Sequence, residues 1–524
     1  MNQCSQPKAA AVQSTDRWLI PIAIVAAISH GTWAFISPDP TYLARLATAS
    51  APASGIGSNQ SSLPVDGYST RPAPTELYYE TRSPDEREYI DLAISLAEKG
   101  ELRLPSGDIA KRPPLYPAFL SLIYQTQPRE YWYSAAILVQ SALAWLNTML
   151  IALLAARVLD VRAGMIAGVI SALYAPFLYL ETLFLTETLV NFCVLSATYA
   201  YLASLRNDIN HGGTPAESPH PVTRALAIGA ASAFIGLAAL GRPNAIVLLL
   251  AFVIHAVWSR RRGTVSVVRD AILLTVPALL ILAPWVYRNH TRLGRLTLST
   301  TGGINLYLGH NSDYAANPGL AHADYGRFDR LRAERGFSEI AADDELRRQA
   351  WSFIRDNPGE VVTNLFRKVR VWFTPTIPGF GPLLPLAMAA LFAVCARRGR
   401  PEVAVHPPGN FGRLRWISLV ALIVAAIAYG GHILTSSRCL PFFSPSHVLL
   451  IGIPALALLR SGLTARSLFL LIVASQLFVA VFFIPLSRIR WTVDAFFIIA
   501  IAVAASRICG IFSAARTAES RATP

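Results

Sequence analysis

Asp85 and Glu86 stand side by side where a helix can begin, and Lys111 and Arg112 follow in a stretch stiffened by Pro113, Pro114 and Pro117. A carboxylate can take the proton of an attacking hydroxyl. Cations can hold a phosphate whose charge grows as a bond to it breaks. Arg242, Arg288, Arg488 and Arg490 lie where apolar runs end, and the planar fork of arginine matches a phosphate better than a point charge does. Plainer roles compete with each of these. Asp85 can complement a helix dipole and Glu86 can close a capping box. Lys111-Arg112 can snorkel to lipid headgroups, the ordinary fate of a cation beside a membrane.

The elements that must position these groups are helical. Ser83 fits an N-cap, Pro84 the first helical position and Glu86 the reciprocal cap, so a helix is expected to run to Lys99 and stop at Gly100. Ile90, Ala93, Ile94 and Ala97 give it one apolar stripe, which suits a helix lying on a membrane surface. Each residue before a proline in 112–117 is held extended, so Arg112 leads into a stiff turn that carries Tyr116.

The whole chain of 524 residues is 53% apolar and 15% charged, with a net charge of +14. Its apolar residues come in blocks about 20 long, the length of a helix crossing the roughly 30 Å hydrocarbon core. The reading is an all-α polytopic membrane protein of about twelve spans: 18–37, 132–156, 163–180, 184–204, 225–241, 243–258, 271–287, 379–396, 416–434, 442–459, 468–485 and 491–508. A tail of 1–17 precedes the first span, and a tail of 509–524 ends the chain. Long polar stretches at 38–131 and 288–378 separate the first span, the group within 132–287 and the group within 379–508. With the N-terminus inside, the short cytoplasmic segments hold 20 Lys and Arg, including Arg260-Arg261-Arg262, against four in the short outer loops. That asymmetry places both long stretches outside, facing a periplasm or the cell exterior from a cytoplasmic (inner) membrane. The cations are dispersed between apolar blocks and form no basic domain, so no nucleic-acid partner is expected. Five scattered cysteines without a CxxC pair offer neither a disulfide framework nor a zinc site.

Glu187 begins an apolar run, where an acid is either functional or interfacial. Asp494 is spaced to neutralise Arg490 on one helix face. In the second stretch, Gly302-Gly303 permit close backbone approach, and Asn305, Tyr307, His310 and Asn311 could bond sugar hydroxyls or simply make turns. Helices are expected from Ser338 through Trp351, Phe353 and Ile354 to Asn357, and then through Val361, Leu365, Val369 and Trp372, with Arg367, Lys368 and Arg370 interleaved as in an interfacial helix.

Several of these segments together resemble the GT-C glycosyltransferases that use polyprenyl-phosphate sugars, a group that includes protein O-mannosyltransferases and the aminoarabinose transferases of lipid A. The resemblance lies in Asp85-Glu86-Arg87-Glu88-Tyr89 with Leu92-Ala93 and Gly100, in Arg112-Pro113-Pro114-Leu115-Tyr116-Pro117, and in Leu185-Thr186-Glu187. It continues in Gly236 to Pro243, Ala283-Pro284-Trp285-Val286-Tyr287-Arg288-Asn289, Ser299 to Leu306 and Arg488-Ile489-Arg490. Where the lipid A branch has an arginine three residues after its acid, this chain has Glu88.

The resemblance implies a GT-C fold with two extracytoplasmic loops carrying interfacial helices, and inverting transfer of a sugar to an acceptor hydroxyl on a glycan, lipid or protein. Asp85 is then the expected base, and Glu86 the residue to hold the acceptor or a divalent metal. Lys111, Arg112, Arg242, Arg288, Arg488 and Arg490 would bind the donor phosphate, with Tyr89, Tyr116, Glu187, Asn305 and Asn311 at the substrate. A lipid-carrier flippase or transporter is the competing class. It calls for ionisable groups and broken helices at mid-membrane, often in paired halves.

Overall fold

The computed structural model of the protein describes residues 18–36, 84–205, 220–258, 264–316, 326–373, 463–485, 490 and 492–506. Ser83, Arg488, the spans expected at 379–396, 416–434 and 442–459, the 39–82 stretch, both tails and all cysteines except Cys193 lie outside these residues. The described residues form helices and contain no strand. Three helices are long and apolar enough to cross a membrane: Trp132–Val158, Pro221–Gly241 and Ser266–Leu293. Five shorter apolar helices accompany them: Leu19–Thr32, Val161–Ala172, Pro243–Trp258, Ser467–Phe482 and Thr492–Ser506.

In chain order, α1 is Leu19–Ile36, α2 Pro84–Lys99, α3 Leu115–Thr126, α4 Trp132–Val158, α5 Val161–Ala172, α6 Ala175–Leu180 and α7 Glu187–Ser204. Next come α8 Pro221–Gly241, α9 Ile246–Trp258 after a 3-10 turn at Pro243–Ala245, and α10 Thr264–Leu293. The second long polar stretch supplies α11 Gly302–Gly309, α12 Ser312–Ala316, α13 Arg327–Arg335, α14 Glu339–Asp356 and α15 Pro358–Phe373. Helices α16, Leu463–Phe482, and α17, Thr492–Ser506, close the described part.

The expected 163–180 span is two helices. Tyr174 is extended at φ −81, ψ 106 as the N-cap that restarts the helix, and Pro176 sits in the first turn of α6, where its missing N–H costs no helical bond. The expected 184–204 span starts only at Glu187, because 181–186 is irregular. Helix α10 stays continuous through Pro277 and Pro284. Ser232 of α8 accepts from Ala278 N at 3.0 Å and donates to Leu274 O, so a hydroxyl is spliced into the ladder that the proline weakens. The backbones are close here: a Cβ on Gly236 would stand 3.0 Å from Ala278 Cα.

The main core joins α4, α5, α7, α8, α9, α16 and α17. A second cluster, of Tyr89, Ile90, Ala93, Tyr116, Leu120, Trp132 and Phe184 among others, seats the α2–α3 hairpin on the N-terminal end of α4. Fully burying Leu120 or Phe184 there contributes about 2 kcal/mol each. A third cluster joins α11, α13 and α14 to Ile484.

The two helices of the second stretch form where expected, with Ser338 accepting from Ala341 N at 3.2 Å as the N-cap of α14. Their buried faces differ from the apolar stripes. In α14, Ala342, Leu346 and Ala350 point inward and Trp351 points out. In α15 the buried row is Asn364, Lys368 and Trp372, and Phe366 is exposed. Lys368 turns inward because Val481 O and Phe483 O, at the C-terminal end of α16, accept from its Nζ at 3.1 and 2.7 Å.

Candidate active site

Helix α2 carries Asp85 and Glu86 in its first turn, and Gly100, at φ +68, ends it as expected. Asp85, Glu88 and Tyr89 face the Lys111-Arg112 turn. Arg112 donates to Asp85 Oδ1 through Nη2 and to Glu88 Oε2 through Nε at 2.5 Å, and its guanidinium lies 5.4 Å from the Tyr89 ring centroid. Lys111 contacts Glu88 Oε1 at 2.8 Å and Asp329 Oδ1 at 2.7 Å, tying the first long polar stretch to α13 of the second. Burial opposes the charge on Lys111, but Glu88 and Asp329 push it up to about 12. Glu86 turns the other way, accepting from Phe184 N at 3.2 Å.

A second acid–arginine pair approaches from the membrane helices. Arg242, just past α8, donates to Thr186 Oγ1 at 2.9 Å and to Glu187 Oε1. Gly241 lets this end of α8 reach α3: a Cβ there would lie 2.6 Å from Val190 Cγ2 and 3.4 Å from Leu115 Cδ2. The two pairs share Tyr89. Burial raises the pKa of its hydroxyl; Arg112 and Arg242 pull it down while Asp85 and Glu187 push it up. Arg112 and Arg242 keep 19% and 18% of their side chains open, whereas Glu187 is 2% exposed. Asp85 is as open as Arg112, at 20%, so a ligand can reach both members of the first pair but only the cation of the second. Tyr116 closes the inner side, edge-on to Tyr89 with centroids 5.1 Å apart.

The other candidates from the sequence sit elsewhere or are engaged. Arg288 donates to Ile109 O at 2.6 Å and Leu102 O at 3.4 Å, pinning α10 to the first long polar stretch. Arg490 is buried against Asp494, 3.4 Å away, and donates to Trp372 O at 3.2 Å; Tyr174 also donates to Asp494, at 2.5 Å. Asn311 spends its side chain on its own turn, donating to Tyr307 O at 2.7 Å and accepting from Tyr314 N at 2.8 Å. Asn305 lies half-buried on α11. The close approach at Gly303 is to α14, since a Cβ there would overlap Asp343 O, and Gly303 N donates to the Asp343 carboxylate. Among the described residues no three His, Cys, Asp or Glu side chains gather as metal ligands.

Several groups that hold the site were not singled out from the sequence. Glu339 accepts from Ile109 N and Ala110 N at 3.1 and 3.2 Å and from Thr300 Oγ1 at 3.0 Å, fastening the turn that presents Lys111 and Arg112. Ser299 Oγ donates to Lys111 O at 2.9 Å. Within the helices, His30 Nδ1 lies 2.6 Å from Glu181 Oε2, and Gln140 bridges Tyr116 to the 181–183 backbone. The available signal for His30 and Gln140 was polarity inside apolar runs. Glu339 offered none beyond its place in a helix first turn.

The overall chain trace is similar to that of solved membrane-enzyme structures. One is the apo oligosaccharyltransferase of Archaeoglobus fulgidus, 13% identical, with 97% of this chain and 52% of that one covered at a TM-score of 0.49. The archaeal oligosaccharyltransferase AglB of the same organism, in complex with an inhibitory peptide and a dolichol-phosphate, is 14% identical over 97% and 52% at 0.46. ArnT from Cupriavidus metallidurans, bound to undecaprenyl phosphate, is 14% identical over 94% and 78% at 0.37. The chain thus spans about half the length of the oligosaccharyltransferases. No family model matches it, and no curated protein does.

Proposed function

We propose that the protein is a membrane glycosyltransferase that moves a sugar from a polyprenyl-phosphate donor to an acceptor hydroxyl at the extracytoplasmic face. The observation that carries this reading is the pair of partly open arginines, Arg112 and Arg242, each hydrogen-bonded to a carboxylate. Such a site is preorganised for an anion, and its acids keep the cations in place until one arrives.

Donor phosphate binds the open edges of Arg112 and Arg242 and takes over the hydrogen bond that Arg112 gives Asp85. Asp85, relieved of its cation, accepts the acceptor hydroxyl's proton. The oxygen attacks the anomeric carbon opposite the phosphate, a carbon–oxygen bond forms with inversion, and the departing electron pair stays on the phosphate oxygen. Glu88 remains on Arg112 and Lys111 throughout and keeps the cations oriented.

A lipid-carrier flippase is the second reading, favoured by the interruption at 181–186 and the His30–Glu181 pair inside the helices. The interruption also serves the outer cluster, since Phe184 N is the donor to Glu86. Transfer of radiolabelled sugar from polyprenyl-phosphate donors to envelope acceptors in vitro separates the two. Lipid movement across vesicles without transfer would reject the enzyme.

A further inference from the structure

Gln140 lies in the middle of an apolar helix and is 1% exposed, yet its amide is fully committed. Its Oε1 accepts from the Tyr116 hydroxyl at 2.6 Å, and its Nε2 donates to Glu181 O at 3.1 Å and Leu183 O at 3.2 Å. The two carbonyls belong to the irregular 181–186 segment, whose short turns (Thr182 N to Tyr179 O at 3.3 Å, Leu183 N to Leu180 O at 3.2 Å, Leu185 N to Leu183 O at 2.8 Å) replace a continuous helical ladder only in part. Within a membrane such a segment persists only where side chains supply the missing partners. Glu86 supplies another at Phe184 N, and Asn147 donates to Thr188 O at 3.0 Å just beyond.

The same segment ends in Thr186 and Glu187, the partners of Arg242. The Tyr116 ring is edge-on to Tyr89, against which Arg112 lies. One amide therefore touches both supports of the site, the backbone that presents Arg242's partners and the ring behind the Arg112 side. We propose that Gln140 is a positioning residue that sets the spacing of the Arg242 and Arg112 guanidiniums for a lipid-linked phosphate. This assignment rests on the glycosyltransferase reading above. Gln140 touches neither phosphate nor sugar; it fixes where two cations meet them.

The test uses the full chain in nanodiscs, with undecaprenyl phosphate as the probe. Gln140→Met keeps the side-chain length and removes all three hydrogen bonds, leaving the buried Tyr116 hydroxyl without its acceptor. Tyr116→Phe removes the other partner of that bond. Gln140→Met is expected to weaken undecaprenyl phosphate binding about tenfold and to lower the melting temperature of the lipid-free protein. In Gln140→Met/Tyr116→Phe the orphaned hydroxyl is gone, so part of the melting temperature returns while binding stays weak. Binding that recovers with stability in the double variant overturns the proposal, as does Gln140→Met binding like the wild type. If Gln140→Met does not insert, Tyr116→Phe alone decides: weakened binding at an unchanged melting temperature supports the proposal, and unchanged binding overturns it. A wild type that ignores undecaprenyl phosphate but transfers no sugar either is a failure of the enzyme reading itself, and the positioning role falls with it.

Discussion

Asp85 and Arg112 are 27 residues apart in the chain and directly hydrogen-bonded across the α2–α3 hairpin. An acid held by a guanidinium is a weak base, so its usefulness depends on what displaces it. Replacing the carboxylate by an amide keeps the size and the bond to Arg112 but abolishes proton transfer. Asp85→Asn is expected to cut sugar transfer by about 10²–10⁴-fold with normal insertion and undiminished donor binding. Full activity in that variant would end the role of Asp85 as base.

Arg242 and Glu187 pose the opposite question, because Glu187 is 2% exposed and cannot lose its partner cheaply. Arg242→Gln alone takes the cation away from a buried carboxylate and is expected to cost about 3–5 kcal/mol of stability. Arg242→Gln combined with Glu187→Gln should restore most of that stability and leave lipid-phosphate binding impaired. Thermal unfolding beside undecaprenyl phosphate titration gives both numbers. Restored binding in the double variant would remove Arg242 from the phosphate site.

Glu339 holds two backbone amides and a threonine hydroxyl with one carboxylate. Glu339→Ala should free the turn before Lys111-Arg112 and destabilise the protein by about 1–3 kcal/mol. Protection from hydrogen exchange at Ile109 and Ala110 is expected to fall sharply, while α4 and α7 keep theirs. Unchanged exchange at 109–110 would mean that Arg288 and Thr300 suffice to hold the turn.

His310 gives a pH dependence with a definite sign. Burial, and then the nearby Lys368, lower its pKa from the ordinary 6.5 to about 4. Between those values the unfolded chain binds a proton that the folded one refuses, so stability falls as the pH drops from about 6.5 toward 4. Its contribution is fully present above 6.5. His310→Gln should flatten the melting-temperature profile across that window. An equally steep profile would assign the acid sensitivity to other groups.

Short-range order was legible because its causes are local. Proline and glycine placement set α2, and the Ser338 cap set α14. Apolar blocks of span length marked α1, α4, α8 and α10, and the (i, i+4) spacing alone paired Arg490 with Asp494. The types of the candidate residues also pointed to an acid and arginines able to serve a phosphate. Periodicity left the inner faces of α14 and α15 open, because a half-wet helix buries whichever side chains find partners, and Lys368 finds two carbonyls.

Which acid faces which cation was decided by tertiary structure. Glu86 and Asp85 are neighbours in sequence, yet one meets Phe184 N and the other Arg112, because successive residues on a helix point about 100° apart. Arg288 and Arg112 were equivalent as letters, but Arg288 meets backbone carbonyls and Arg112 meets Asp85 and Glu88. Composition and spacing fix what a side chain can bond. The packing of α2, α3, α4 and the 183–185 segment around Tyr89 fixes what it does bond, since a hydrogen bond needs its partner within about 3 Å and chain separation says nothing of that distance.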